Sequence, residues 1–83
     1  MINKKQIELM ILLSDNNIKA NYQTAKRIYK SPNHFYKHAA ELERWGFLRQ
    51  IKEKDFKTWS LTLDGGFFTM YLKRIKQYCS PSN

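Results

Sequence analysis

The sequence predicts a small α+β domain in which three helices precede a β-hairpin and a fourth helix follows it. Apolar residues recur with a helical period up to Trp45, and after Gly46 the period changes to two, which is typical of strands. A helical apolar stripe returns after Asp64. Because 83 residues can bury one hydrophobic core but not two, residues 1–79 are expected to form a single domain, with residues 80–83 as a frayed tail.

The first two helices are separated by a short extended segment. The first is expected at residues 3–13, and the Asp15-Asn16-Asn17 run is expected to end it. Residues 18–20 then read as extended chain. Asn21 suits the N-cap of a second helix at residues 22–29, because its side-chain oxygen can accept hydrogen bonds from the first free amides.

A turn at Lys30 and Ser31 leads to the third helix, expected at residues 32–45. Ser31 is a candidate cap, and Pro32 loses no hydrogen bond at the first helical position. The inward row of this helix consists of Phe35, Ala39 and Leu42. Gly46 is expected to follow the helix in a left-handed conformation.

The hairpin is expected to pair residues 48–52 with residues 57–63 through a polar, flexible tip at residues 53–56. In the second strand, alternation predicts that Trp59, Leu61 and Leu63 point inward and that Thr58, Ser60 and Thr62 point outward. The last helix is expected from about Asp64, whose carboxylate suits the positive end of the helix dipole, to about Tyr78.

Positive charge is concentrated in the middle of the chain. Residues 19–57 hold ten lysine and arginine residues against four acids, which accounts for +6 of the net charge of +8. No acidic residue occurs between Lys19 and Ala40. A solvated surface usually mixes charges of both signs, so this segment indicates an anionic partner. From charge alone, a basic composition with no binding role remains the alternative.

Four segments follow one another between residues 24 and 65. They are Thr24-Ala25-Lys26-Arg27-Ile28, Pro32-Asn33-His34-Phe35-Tyr36-Lys37, Glu41-Leu42-Glu43-Arg44-Trp45-Gly46-Phe47-Leu48 and Leu61-Thr62-Leu63-Asp64-Gly65. This ordered set resembles the winged-helix family of bacterial and archaeal transcription regulators, of the MarR and ArsR kind. Thr24 and His38 stand where that family more often has apolar residues. The size and the tyrosine- and lysine-rich composition are also similar to minimal winged-helix proteins of archaea and their viruses.

The resemblance implies three helices, a two- or three-stranded β-wing and a C-terminal helix, with the third helix in a major groove of DNA. It also implies dimers formed through terminal helices. The chain is shorter than typical MarR-like proteins and lacks the extra helices that frame their effector pocket. The resemblance therefore does not carry ligand sensing over to this chain.

The opposite face of the third helix carries the candidate base-reading residues, because positions three and four apart share a face that fits a groove about 12 Å wide. These candidates are Asn33, Tyr36, Lys37 and Ala40. His34, near the helix start, is a candidate for a base or a phosphate, and Arg44 is a further DNA-binding candidate on the same face. Candidate phosphate-binding residues are Lys26, Arg27 and Lys30 near the second helix and Arg49, Lys52, Lys54 and Lys57 on the wing. The alternatives are that Asn33 only caps the helix, that Tyr36 packs on the second helix, and that any one lysine is merely solvated.

The last helix carries an apolar stripe that is too broad for one small core. Its members are Phe67, Phe68, Tyr71, Leu72, Ile75 and Tyr78. Part of this stripe is expected to contact a second subunit, in a homodimer formed through the first and last helices.

Several function classes are not expected. There is no nucleophile-base constellation, no paired acids at useful spacing and no glycine-rich phosphate loop, so the chain does not read as an enzyme. His34 and His38 lie four residues apart, but no cysteine or carboxylate pattern completes a tetrahedral set, so no metal or other cofactor is expected. No apolar run of about 18 residues suits a membrane span.

The single cysteine and the absence of a recognisable signal sequence indicate the reducing cytoplasm. Together these features predict a sequence-specific double-stranded DNA-binding protein that regulates transcription. A sequence-tolerant architectural DNA-binding protein and a winged-helix protein-interaction module remain the alternatives.

Overall fold

The computed structural model describes residues 2–52 and 57–79. In chain order its elements are α1 (Lys4–Asn16), α2 (Tyr22–Ala25), α3 (Pro32–Arg44), β1 (Leu48–Lys52), β2 (Lys57–Leu61) and α4 (Leu63–Cys79). This order confirms the predicted α+β layout of three helices, a hairpin and a fourth helix. The predicted hairpin tip, which includes Lys54, and the predicted tail lie outside the described residues.

Asparagine residues hold both ends of α1. Asn3 accepts a hydrogen bond from the backbone amide of Gln6, and the Gln6 side chain accepts one from the backbone amide of Asn3. This is a capping box, which satisfies two amides that a helix start leaves free. Helix α1 continues three residues beyond the predicted Leu13, and Asn17, in the run predicted to end the helix, stops it in a left-handed conformation at φ 51°.

The second helix is half as long as predicted. It ends at Ala25, because the Ala25 carbonyl accepts hydrogen bonds from both Ile28 and Tyr29 and closes the last turn there. At its start, Thr24 and Asn21 form a second capping box. The threonine at a position where the family prefers an apolar residue is therefore part of the helix cap.

The third helix presents its predicted inward row to the core, since Phe35, Ala39 and Leu42 are fully buried. Ser31 occupies the N-cap position, but its side chain makes no capping hydrogen bond, so that part of the prediction was wrong. Pro32 at the next position has no amide hydrogen to satisfy, which reduces the need for such a bond. Gly46 has a φ of 87°, which confirms its left-handed role after the helix.

The hairpin is antiparallel, with Leu48 opposite Leu61 and Lys52 opposite Lys57. On its other edge β2 meets the extended segment after α1. Two backbone hydrogen bonds of 2.7 and 2.8 Å join Ala20 to Trp59. The predicted wing of two or three strands is therefore present, with β2 in the middle.

Two residues of the predicted second strand differ from the prediction in their burial. Thr58 is buried at 2% exposure, while Leu63 is 76% exposed. The strand stops before Leu63 because the Thr62 hydroxyl donates to the Gly46 carbonyl and accepts a hydrogen bond from the Gly65 amide. Thr62 thus caps α4 and turns Leu63 out of the sheet pattern.

The core lies between α1, α3 and the wing. Leu9, Met10 and Leu13 of α1 are buried against the inward row of α3, and Trp59 closes this core from β2. Helix α4 packs along α1, and the ring of Phe68 stacks on Phe47 at 4.5 Å. Among the described residues, no helix combines the length and apolar character that crossing a membrane requires.

Candidate nucleic-acid interface

One face of α3 is open to solvent along its whole length. Its exposed residues are Asn33, His34, Lys37, Ala40 and Arg44. The spacing of four, three and four residues from Asn33 to Arg44 puts these side chains in one row. The row can face a groove while Phe35, Ala39 and Leu42 anchor the helix to the core.

The two acids of α3 are held away from this row. Glu41 accepts a hydrogen bond of 2.9 Å from the Gln6 side chain, and Glu43 accepts one of 3.1 Å from the indole nitrogen of Trp59. Each carboxylate therefore bonds to another element of the fold. The exposed row itself contains two cations, Lys37 and Arg44, and no acidic residue, while the exposed Glu43 lies beside the row.

Asn33 is the second residue of α3, and the N-cap position belongs to Ser31. The alternative that Asn33 caps the helix is therefore not supported. In the described part of the chain, the Asn33 side chain makes no hydrogen bond and is exposed. Its amide is available for a contact outside the fold.

Tyr36 is half-buried and connects α3 to the wing. Its ring lies 5.5 Å from that of Phe35 and 6.0 Å from that of Trp59, between ring centroids. The Lys57 ammonium lies 5.8 Å from the Tyr36 ring centroid, within the range of a cation–π contact. Tyr36 therefore packs mainly against the wing. This differs from both expectations, which were an exposed base-reading side chain and packing on the second helix.

The strand register divides the cations of the wing between two faces. Lys52 is paired with Lys57, and Gln50 with Trp59, so these side chains share the face that meets α3. Arg49 is paired with Ser60 and projects from the other face. The structure thus brings Lys52 and Lys57 to the α3 side and leaves Arg49 apart.

The connection from α2 to α3 carries the remaining candidates. Lys26, Arg27 and Lys30 are all exposed there. The Lys26 ammonium lies 5.8 Å from the ring centroid of Tyr22, whose hydroxyl donates to the Lys30 carbonyl. Within residues 2–52 and 57–79, none of these three cations forms an ion pair.

His38 lies behind the exposed row and belongs to the internal structure. Tyr29 Oη lies 2.8 Å from its Nδ1, and Asn3 Nδ2 lies 3.4 Å from its Nε2. Burial lowers the pKa of His38 below its ordinary value, against an opposing effect of Glu41. The histidine at a position where the family prefers an apolar residue therefore links α3 to the α2–α3 connection and to the start of α1.

Gln6 was not identified from the sequence, although it is fully buried. Its amide nitrogen donates to Glu41 and to the His38 carbonyl, while its oxygen serves the cap of α1. The Asn3-to-Gln6 spacing is a capping-box signal that indicates the second role. No local signal indicates the bond to Glu41, 35 residues away.

The outer side of α4 is apolar and exposed. Exposed fractions are 76% for Leu63, 61% for Phe67, 53% for Met70, 58% for Tyr71 and 37% for Ile75. Phe68 and Leu72, also predicted for an interface, are half-buried, and Phe68 packs on Phe47. The Tyr78 side chain lies outside the described part. These five exposed residues are called the α4 stripe below.

No group of three potential metal-binding side chains occurs among the described residues. The rings of His34 and His38 lie parallel with centroids 6.4 Å apart. No third ligand stands beside this pair in the described ranges.

Helix-turn-helix, β-wing and terminal helix together make this chain a winged-helix protein. Its fold is similar to the crystal structure of AF1382 from Archaeoglobus fulgidus, with a TM-score of 0.78 and 16% identity over 99% of this chain and 94% of that one. It is also similar to the crystal structure of SSV1 F-93, with a TM-score of 0.66 and 24% identity over 93% and 91% of the two chains. No protein-family model and no curated protein matches the chain.

Both neighbours are small archaeal or viral proteins, in agreement with the resemblance to minimal winged-helix proteins. At these identities the likeness establishes the fold. The residues of the interface must be argued from this chain's own surface.

Proposed function

We propose that this protein binds double-stranded DNA in a sequence-specific manner and regulates transcription, as the resemblance to MarR- and ArsR-type regulators implies. The observation that carries this proposal is the acid-free exposed row of α3, with Lys52 and Lys57 of the wing on the same side. A helix of this size fits the major groove, and neighbouring cations can neutralise phosphates.

The exposed residues divide into two roles by chemistry. Asn33, His34 and Lys37 near the start of α3 carry the donors and acceptors that distinguish base edges. Lys26, Arg27 and Lys30 lie beside the helix and suit phosphates, which position a protein without reporting sequence. Specificity is therefore assigned to α3, and affinity is shared with the cations around it.

A homodimer completes the proposal, with α4 at its centre and α1 beside it. The α4 stripe exposes five large apolar side chains on a helix that already uses its other side for the core. Burying this stripe against a second copy removes it from water and places two α3 helices on one duplex. Such a regulator acts in the cytoplasm and needs no catalytic step and no cofactor.

Selection of bound duplexes from a random pool tests the proposal, because it reports sequence preference and half-site spacing together. We expect an enriched site of two related halves. If each subunit neutralises about four phosphates, a plot of log binding constant against log salt concentration should have a slope of about −7.

A strong salt slope without an enriched sequence would point to an architectural DNA-binding protein. An absence of DNA binding at low salt would overturn the proposal and favour a protein-interaction module. The exposed rings of Phe67 and Tyr71 would then be the first surface to examine.

A further inference from the structure

A hollow of about 200 Å³ opens between the start of α2 and the side of α3. It is lined by Asn21, Tyr22, Gln23 and Tyr36. The buried ring of Phe35 contacts both tyrosines, with ring centroids 6.5 Å from Tyr22 and 5.5 Å from Tyr36. The two tyrosine walls are therefore anchored to the core, and the hollow is a feature of the packed fold.

Two cations lie over the rings of the tyrosines that line this hollow. Lys26 lies over the ring of Tyr22 and Lys57 over the ring of Tyr36, each 5.8 Å from the centroid. One cation comes from the α2–α3 connection and the other from the wing, so each tyrosine of the hollow has a positive charge over its ring from a different part of the fold. The hollow therefore offers an occupant two aromatic walls and two side-chain amides, with a cation over the ring of each tyrosine.

The size of the hollow limits the occupant further. It is smaller than the sites that enclose a whole small molecule, which begin at about 300 Å³. It suits the edge of a larger molecule that stays mostly outside. In the major groove, the apolar group on a base edge is the C5 methyl of thymine, and phosphates run along both sides of the groove.

We propose that this hollow receives the C5 methyl group of a thymine while Lys26 and Lys57 contact phosphates of the same duplex. The Gln23 amide at the rim has the donor and acceptor that match adenine N7 and N6, the partner edge of the same base pair. The hollow thus adds a preference for an A·T pair to the readout by α3. This inference rests on the proposed DNA-binding function and assigns roles to Tyr22 and Gln23, which charge alone does not single out.

Deoxyuridine substitution tests the inference, because it removes only the methyl group. In the site enriched from the random pool, each thymine is replaced in turn and the dissociation constant is measured. We expect one thymine per half-site at which the change weakens binding about four-fold, the value of one buried methyl group. Binding that is indifferent to every replacement would overturn the inference and leave the proposed function intact.

Two variants then connect the sensitive thymine to the hollow. Tyr22→Ala removes one wall, so deoxyuridine should no longer weaken binding. Tyr22→Phe keeps the ring and should retain the four-fold loss.

Circular dichroism checks that both variants fold. Gln23→Leu, on the exposed rim, gives a second test through a weakened preference for adenine. An unchanged deoxyuridine loss in Tyr22→Ala would show that the methyl group is contacted elsewhere. Failure of the wild-type protein to bind any duplex would instead refute the proposed function, and the inference with it.

Discussion

The hydroxyl of Tyr29 lies 2.8 Å from Nδ1 of His38, and the two rings meet edge to face at 5.2 Å. The other ring nitrogen of His38 faces Asn3 Nδ2, whose orientation is set because Asn3 Oδ1 caps α1. Since Nδ2 can only donate, Nε2 must accept, and the proton of the neutral ring resides on Nδ1 facing Tyr29. A proton added to Nε2 would point at the N–H groups of Asn3 Nδ2, so that hydrogen bond would be lost.

This contact predicts how stability depends on pH. Burial lowers the pKa of His38 in the folded protein below its ordinary value of 6.5, the nearby charges of His34, Lys37 and Lys5 add to the effect, and Glu41 opposes it. The unfolded chain therefore takes up the proton first. Stability should be full above pH 6.5 and should fall as the pH drops through and below that value.

Urea unfolding between pH 7.5 and pH 5 measures this effect. His38→Gln removes the titrating group and should flatten this part of the profile. His34→Gln, an exposed neighbour on the same helix, removes one of the smaller causes that lower the pKa of His38 and should keep most of the slope, because burial remains the largest cause. A wild-type profile that rises towards pH 5 would contradict the role given to His38.

Two adjacent glycines in α4 predict opposite responses to alanine. A Cβ on Gly65 would overlap the carbonyl oxygen of Phe47 and come within 3.1 Å of Leu61, whereas a Cβ on Gly66 would meet nothing within 4 Å. Gly65→Ala should therefore cost about 2 to 3 kcal/mol of unfolding free energy through overpacking. Gly66→Ala should add up to about 1 kcal/mol, because alanine is the better helix former. Chemical denaturation of both variants checks the pair, and equal effects would refute the close approach of α4 to Phe47.

Thr58 predicts a stabilising substitution in the wing. Its hydroxyl is buried and has no hydrogen-bond partner in the described ranges. Thr58→Val removes this unpaired group at nearly constant shape and should raise the unfolding free energy by about 1 kcal/mol. Thr69→Val is the control, since the Thr69 hydroxyl donates to the Gly65 carbonyl at 2.7 Å and its loss should destabilise by about 1 kcal/mol. A loss of stability in Thr58→Val would mean that the hydroxyl is satisfied.

The order of elements was predictable because it depends on local patterns. The change of period after Gly46, the inward row of α3 and the left-handed glycine all follow from neighbouring residues. The errors share another cause. The burial of Thr58 is a tertiary feature, because β2 contacts α1 and α4 as well as β1, and no period in the chain shows that arrangement.

In the candidate interface, too, some features follow from local sequence patterns and others depend on contacts between distant residues. The exposed row of α3 follows from helix geometry once the inward row is known. The separation of Arg49 from Lys52 follows from strand alternation, because residues three apart point to opposite faces. The contact of Tyr36 with Trp59 depends instead on how the wing packs against α3. That packing joins residues 23 positions apart in the chain, so residue spacing could not indicate it.

The α4 stripe predicts a dimer that a charge can break. Phe67 is 61% exposed in the single chain, and Phe67→Asp would place a carboxylate in the proposed apolar contact. We expect this variant to sediment as a monomer at concentrations where the wild type is a dimer, and to lose at least about ten-fold in DNA affinity through the missing second subunit. Phe67→Leu keeps the apolar character and should remain dimeric. A wild-type protein that is monomeric at high concentration would contradict this interface.

The most direct test of the central claim compares Lys37, in the exposed row of α3, with Lys52, on the α3 side of the wing. Dissociation constants are measured for Lys37→Ala and Lys52→Ala with the selected site and with a random duplex at one salt concentration. If α3 reads bases, Lys37→Ala should weaken the selected site by about 1 to 3 kcal/mol more than the random duplex, while Lys52→Ala should weaken both duplexes alike. Equal losses for Lys37→Ala on the two duplexes would contradict the account.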